Sequence, residues 1–421
     1  MKERLFTRDF TLLILGQLTS LFGNAILRLA LSLYILEATG SAVVFGGLLS
    51  AAVLPSVLLA PLGGVLADRG DRRCIMVALD ALTGLSVLFT AVLFTPGRAL
   101  GLIGILMILL AALGAFETPT VQACIPSLVT EQNLTKGNAA VHQAAFLASL
   151  TAPTLGGILY GALGLIPVLW TSVLCFFVTA LFECLIRLPR RPRPAAREGS
   201  PLVMACRDLS ESFRFLFVQR RCIAGLLLLA ALSGFFVVGA AVVGLPYLVR
   251  TVLGLEPRYL GWAESVLAAA AIAGGAAAGL WGTRIKTSRL WIPLAALGAL
   301  LVPAGMAFLL PLDTGGRYLL LTASFAGLQG GVSFFSVLAV SLIQSQTPDH
   351  LLGKVMACTS VLTLCAQPAG QLIYGFLFDR FRTMPALVLL PTGILAGAVG
   401  LFSTGFFRRL EAEIWLCKTR L

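Results

Sequence analysis

The chain has 421 residues, of which 58% are apolar and only 12% charged, and its mean hydropathy is +0.94. Thirty-one basic and nineteen acidic side chains cannot cover this much apolar surface in water. A cytosolic globular protein, a disordered chain and a disulfide scaffold are therefore excluded. The 43 glycines and 20 prolines fit a polytopic helical membrane protein, and the net charge of +12 then belongs to loops on the inner side of the membrane rather than to nucleic acid.

Lys2, Arg4 and Arg8 precede an apolar run from Leu12 to Leu36. That run is too long for a signal peptide and no small-residue cleavage site follows it, so it reads as the first span. A bilayer core about 30 Å thick takes ~20 apolar residues at ~1.5 Å each. Twelve segments meet that length, at 11–37, 42–67, 74–95, 99–122, 138–162, 165–187, 222–249, 259–283, 289–311, 317–343, 354–378 and 384–407. The predicted fold class is an all-α membrane protein with two six-helix bundles. The first bundle covers 1–187 and the second 222–408, with a linker at 188–221 and a tail at 409–421. The linker holds Pro189, Pro192, Pro194 and Pro201, and with Arg187 it brings nine arginines.

With the N-terminus inside, 24 Lys and Arg fall on the inner side and six outside, Arg98, Arg250, Arg258, Arg317, Arg380 and Arg382, while Arg28 lies within a span. This asymmetry predicts a multi-pass protein of the cell inner (plasma) membrane with both termini and the linker cytoplasmic. None of the nine cysteines forms a CxxC pair and there are only two histidines, so no metal or other cofactor is expected.

The second half echoes the first at an offset of about 215 residues. Gly64-Val65-Leu66-Ala67-Asp68-Arg69 ends span two, and Gly279-Leu280-Trp281-Gly282-Thr283-Arg284 ends span eight. Glu131, Leu134, Lys136 and Ala139 open span five as Asp349, Leu352, Lys354 and Ala357 open span eleven. Six plus six spans in parallel repeat suit a rocker-type transporter.

The run Gly64-Val65-Leu66-Ala67-Asp68-Arg69-Gly70-Asp71-Arg72-Arg73 resembles the loop signature of the major facilitator superfamily between spans two and three. The resemblance implies a latch. Gly64 would pack on span eleven, Asp68 would meet the positive end of that helix near Lys354, and Asp68 and Asp71 would pair with Arg69, Arg72 or Arg73. The same pairs would also serve as static glue. Ala148 to Gly157 resembles the span-five motif of the exporter branches, keeping Pro153, Gly156 and Gly157 but replacing the first glycines by Ala148 and Ala152. Such small residues would let span five pack tightly on span eight. Further stretches, among them Pro126 to Ala139 and Ser345 to Met356, resemble the macrolide- and enterobactin-exporter branch.

A charge at mid-bilayer costs at least ~2.5 kcal/mol on insertion scales, so each one needs a reason. Arg28 sits one turn after Asn24, where the resembled branch often carries Asp. It would attract an anionic substrate group or hold a structural partner. Glu117 in span four would carry a proton, attract a cationic amphiphile, or pair near the surface. Asp80, also a charge candidate, is expected to pair with the loop arginines, and His142, Glu183 and Asp379 to be interfacial. Glu264 would serve an outer gate. In the resembled fold spans one, four, seven and ten line the cavity, which makes Asn24, Gln143, Gln329, Phe334, Phe335, Gln367 and Gln371 its uncharged candidates.

The resulting expectation is a secondary-active exporter of hydrophobic or amphiphilic small molecules, exchanging them for protons by alternating access, as a monomer among membrane lipids. No Walker A sequence offers another energy source, and no catalytic constellation suggests an enzyme. The alternatives are a transporter of an anionic lipid, lysolipid or siderophore-like metabolite, and a non-transporting receptor on a transporter scaffold.

Overall fold

A computed structural model describes residues 5–188, 214, 216 and 221–419. Among the described residues there is no strand, and twelve helices are long and apolar enough to cross a membrane. The first six are α1 (Arg8–Thr39), α2 (Ala42–Arg69), α3 (Arg72–Leu93), α4 (Ala99–Leu128), α5 (Leu134–Leu163) and α6 (Leu165–Leu185). The second six are α7 (Ile223–Val252), α8 (Pro257–Trp281), α9 (Trp291–Met306), α10 (Thr314–Ser345), α11 (Asp349–Arg380) and α12 (Ala386–Phe402). A short α13 (Thr404–Thr419) follows. All twelve expected spans are present. The linker proposed at 188–221 lies almost wholly outside the described residues.

The connections are short because the sequence marks them sharply. Gly164, at φ +78°, ends α5 in a left-handed turn that hands its N–H back to the Tyr160 carbonyl at 2.8 Å. Span seven runs three residues beyond its expected end, and its helix widens over Gly234–Val238 and Leu248–Val252. The second widened turn follows Pro246, which has no N–H to give.

Contacts divide the chain into two units. The first comprises the described residues up to Ala38, then 51–188, and Glu256–Ser265 at the start of α8. At the end of this unit where α1 begins, Phe10, Leu13, Met76, Val121, Cys124, Ile125 and Ile186 form a fully buried apolar cluster. The second unit comprises Thr39–Ser50 at the start of α2, the described residues to Leu255, and Val266 onward. Within it α9 and α12 cross on glycine: a Cβ on Gly298 would strike the backbone of Gly393 and Gly397. Small residues at such crossings replace the hydrophobic drive that lipid removes. Large apolar side chains such as Leu58, Leu319 and Phe402 stand outward, as lipid contact allows.

Candidate functional site

The loop signature folds by capping helices. Asp71 is the N-cap of α3, and its Oδ1 accepts from the N–H groups of Arg73 at 3.1 Å and Cys74 at 3.3 Å. Arg72 donates from Nε to the Ala67 carbonyl at 3.0 Å, and from Nη1 to the Ala123 carbonyl at 2.7 Å and Ser127 Oγ at 3.4 Å. Arg73 donates to the Cys184 carbonyl. The two arginines thus donate to carbonyls in the last turns of α2, α4 and α6, where the negative pole of each helix favours a cation. Among the described side chains, Asp71, Arg72 and Arg73 bond backbone groups at helix ends rather than one another. A Cβ on Gly64 would meet open space, whereas one on the adjacent Gly63 would strike the Ala115 carbonyl of α4. The side chains of Asp68, Arg69 and Lys354 lie outside the described residues.

Four side chains from four helices meet inside the first unit. Ser20 of α1 has its Oγ 3.1 Å from Asp80 Oδ1 of α3 and 3.3 Å from Glu117 Oε1 of α4. Glu183 of α6 faces Asp80 within hydrogen-bonding contact. Ser20, Asp80 and Glu183 are each only 1% exposed, while Glu117 is partly open. Asp80 Oδ2 and both oxygens of Glu183 find no donor among the described residues. Among the described side chains Asp80 faces Ser20 and Glu183, while Arg72 and Arg73 are engaged on helix ends. Glu183 lies in the last turn of α6, as its place near a span end suggested, and is buried there beside Gly16 of α1. Ser20 is not among the sequence candidates, and Glu183 is read from sequence only as an interfacial group. The signal that could have found them is the cost of three carboxyls in apolar spans, which a shared site explains better than three separate ones.

The remaining candidates scatter. Arg28 is exposed on α1 and lies within electrostatic reach of Glu264 of α8 in the same unit. Asn24 is half-buried and donates to the Ser20 carbonyl of its own helix at 3.2 Å, and Gln143 is exposed. In the second unit Gln329, Phe334 and Gln367 are half-buried. Phe335 and Gln371 are buried, at 3% and 4% exposure, Gln371 accepting from Ser50 Oγ at 3.3 Å. Both belong to helix packing rather than to an open wall.

The span-five motif packs as its small residues suggest. A Cβ on Gly157 would lie 2.9 Å from the Pro257 carbonyl, and one on Gly261 would strike the Pro153 carbonyl. Thr154 and Ser265 share a 2.8 Å hydrogen bond on the same seam, and Gly156 fits against Ile26 of α1. A matching seam joins the first turns of α2 to α11. Gly375 lies against the Ala42 carbonyl, Gly46 against that of Gln371, and Ser50 donates to that of Pro368 at 2.8 Å. Asp379 completes it, accepting from Ser41 Oγ at 2.5 Å, Ala42 N–H at 2.7 Å and Val43 N–H at 3.0 Å. From the last turn of α11 it caps the start of α2.

Comparison with known proteins agrees with this architecture. Macrolide efflux protein A of Streptococcus pyogenes is 26% identical over 399 residues, 94% of this chain and 96% of that protein. The multidrug efflux pump Tap of Mycolicibacterium fortuitum is 26% identical over 402 residues, 93% of this chain and 94% of that protein. The crystal structure of the nucleoside transporter NupG (D323A mutant) superposes with a TM-score of 0.74 at 11% identity, covering 96% of this chain and 99% of that one, which speaks to the fold alone. The family model of the Major Facilitator Superfamily matches residues 13–366. With its twelve apolar helices, its glycine-built crossings and that match, the chain belongs to the major facilitator superfamily.

Proposed function

We propose that the chain exports hydrophobic or amphiphilic small molecules in exchange for protons by alternating access, with both termini on the cytoplasmic side. One observation carries the reading: two carboxyls, Asp80 and Glu117, share one serine hydroxyl, and a third, Glu183, stands beside Asp80, inside spans that otherwise hold little charge. Burying carboxyls with no described cation beside them is expensive, and a protein that only needed a stable bundle would do better with apolar residues. A group that gains and loses protons during a cycle justifies that cost. The efflux activities named for similar proteins, a macrolide pump and a multidrug pump, support the substrate class.

The test uses liposomes holding the full-length protein, with ethidium as the substrate and an internal pH dye. Ethidium movement that accelerates under an imposed proton gradient, with protons moving oppositely, supports the reading. Ethidium movement at the same rate with and without a protonophore removes the exchange claim.

A second reading has its own observation. Arg28 is exposed, with Glu264 in electrostatic reach. An anionic lipid or siderophore-like metabolite would displace Glu264 as the partner of that guanidinium. Transport of such an anion that fails in Arg28→Ala and survives in Arg28→Lys supports it; equal transport by Arg28→Ala removes it.

A further inference from the structure

Ser20, Asp80, Glu117 and Glu183 are graded by access. Glu117 is partly open, Ser20 and Asp80 are sealed, and Glu183 lies beyond Asp80 with neither oxygen receiving a hydrogen bond among the described residues. The apolar cluster of Phe10, Leu13, Met76, Val121, Cys124, Ile125 and Ile186 closes the end of the bundle beyond them. In sequence it lies three to ten residues from the four polar groups, always toward that end.

We propose that these groups form a proton store with a single port: Glu117 exchanges the proton, the Ser20 hydroxyl passes it on, and Asp80 and Glu183 hold it between them. This deepens the exchange reading above and rests on it. Two ionised carboxylates have no hydrogen to share, so oxygens of Asp80 and Glu183 in hydrogen-bonding contact need one proton between them. That proton satisfies atoms that otherwise have no donor.

Transfer balances as a relay. Protonated Glu117 gives its hydrogen to Ser20 Oγ while Ser20 gives its own to Asp80 Oδ1. Glu117 is left ionised, Asp80 becomes the acid, and the serine is unchanged. The 3.1 and 3.3 Å spacings place one hydroxyl between both carboxyls, and one hydroxyl has one hydrogen to donate. The reverse relay empties the store through the same port.

The surrounding charges suit this. From α6 the other titratable group near Glu183 is Cys184, and from α4 it is Cys124. The loop arginines Arg72 and Arg73 donate to backbone carbonyls, and Asp71 caps α3. From α1 the Ser20 hydroxyl reaches Asp80 and Glu117, and from α3 the titratable member is Asp80.

Infrared difference spectroscopy of the purified full-length protein reads the store without any substrate. The expected result is a buried carboxylic-acid C=O band that disappears or shifts in Glu183→Gln and in Asp80→Asn, two near-isosteric changes. After a pH jump or a transfer to heavy water, the band should exchange roughly a hundredfold more slowly in Ser20→Ala, the lower range for a positioned proton-transfer group, and recover in Ser20→Thr. Glu117→Gln should slow it similarly. A band untouched by both Glu183→Gln and Asp80→Asn, or exchange at the wild-type rate in Ser20→Ala, overturns the store. Failure of the exchange reading looks different: the wild-type protein moves no protons with ethidium in liposomes while the infrared results hold.

Discussion

Asp379 offers the sharpest test of how the second unit is held. Its carboxylate accepts three hydrogen bonds at the start of α2, from Ser41 Oγ at 2.5 Å, Ala42 N–H at 2.7 Å and Val43 N–H at 3.0 Å. Ser41 is itself a cap, since its Oγ accepts from Val44 N–H at 3.3 Å. Asp379→Asn keeps the shape but turns one acceptor oxygen into an NH₂ group facing a donor. Losing one capping bond costs about 1 kcal/mol. Removing the negative charge from the positive end of α2 costs up to about 1 kcal/mol more. The expected destabilisation is about 2 kcal/mol, and Asp379→Ala, which abandons all three bonds, should exceed it. Ser41→Ala loses one acceptor and one donor and should cost about 1 kcal/mol. Reversible unfolding in mixed detergent and SDS micelles, followed by tryptophan fluorescence, measures the series. Equal stability of the wild type and Asp379→Asn, within about 0.5 kcal/mol, would refute the capping argument.

Arg72→Ala should cost about 2–3 kcal/mol, because a charged donor to two helix ends is removed, and Arg72→Lys should recover less than half, since an ammonium lacks the planar fork; the same unfolding assay decides it. Gly157→Ala should destabilise by about 1–3 kcal/mol against the Pro257 carbonyl, while Gly64→Ala, facing open space in a helix, should be neutral or gain up to about 1 kcal/mol. Similar values for the two glycines would contradict the packing described. For topology, a cysteine at Gly97, between α3 and α4, should react with an impermeant maleimide on intact cells, whereas one at Thr287, between α8 and α9, should react only after the membrane is opened.

Length, hydropathy and the repeat were enough to read the number of spans, their approximate ends and the all-α class, because the bilayer demands ~20 apolar residues per crossing and satisfies backbone groups only within helices. The glycines of span five were legible too, since a close crossing requires small side chains wherever it occurs. What one-dimensional reading could not supply was which polar groups share a neighbourhood. Asp80, Glu117 and Glu183 are separated by 37 and 66 residues in the chain, and only the packing of α1, α3, α4 and α6 brings Asp80 and Glu117 to Ser20 and Glu183 to Asp80. Asp379 and Ser41 stand 338 residues apart and meet only because α11 ends where α2 begins. The loop arginines looked like partners for carboxylates, and tertiary structure gave them to helix carbonyls instead. Helix periodicity reveals a face, but it says nothing about which other helix that face meets. In an apolar medium that choice settles whether a buried charge is paired, capped or left to hold a proton.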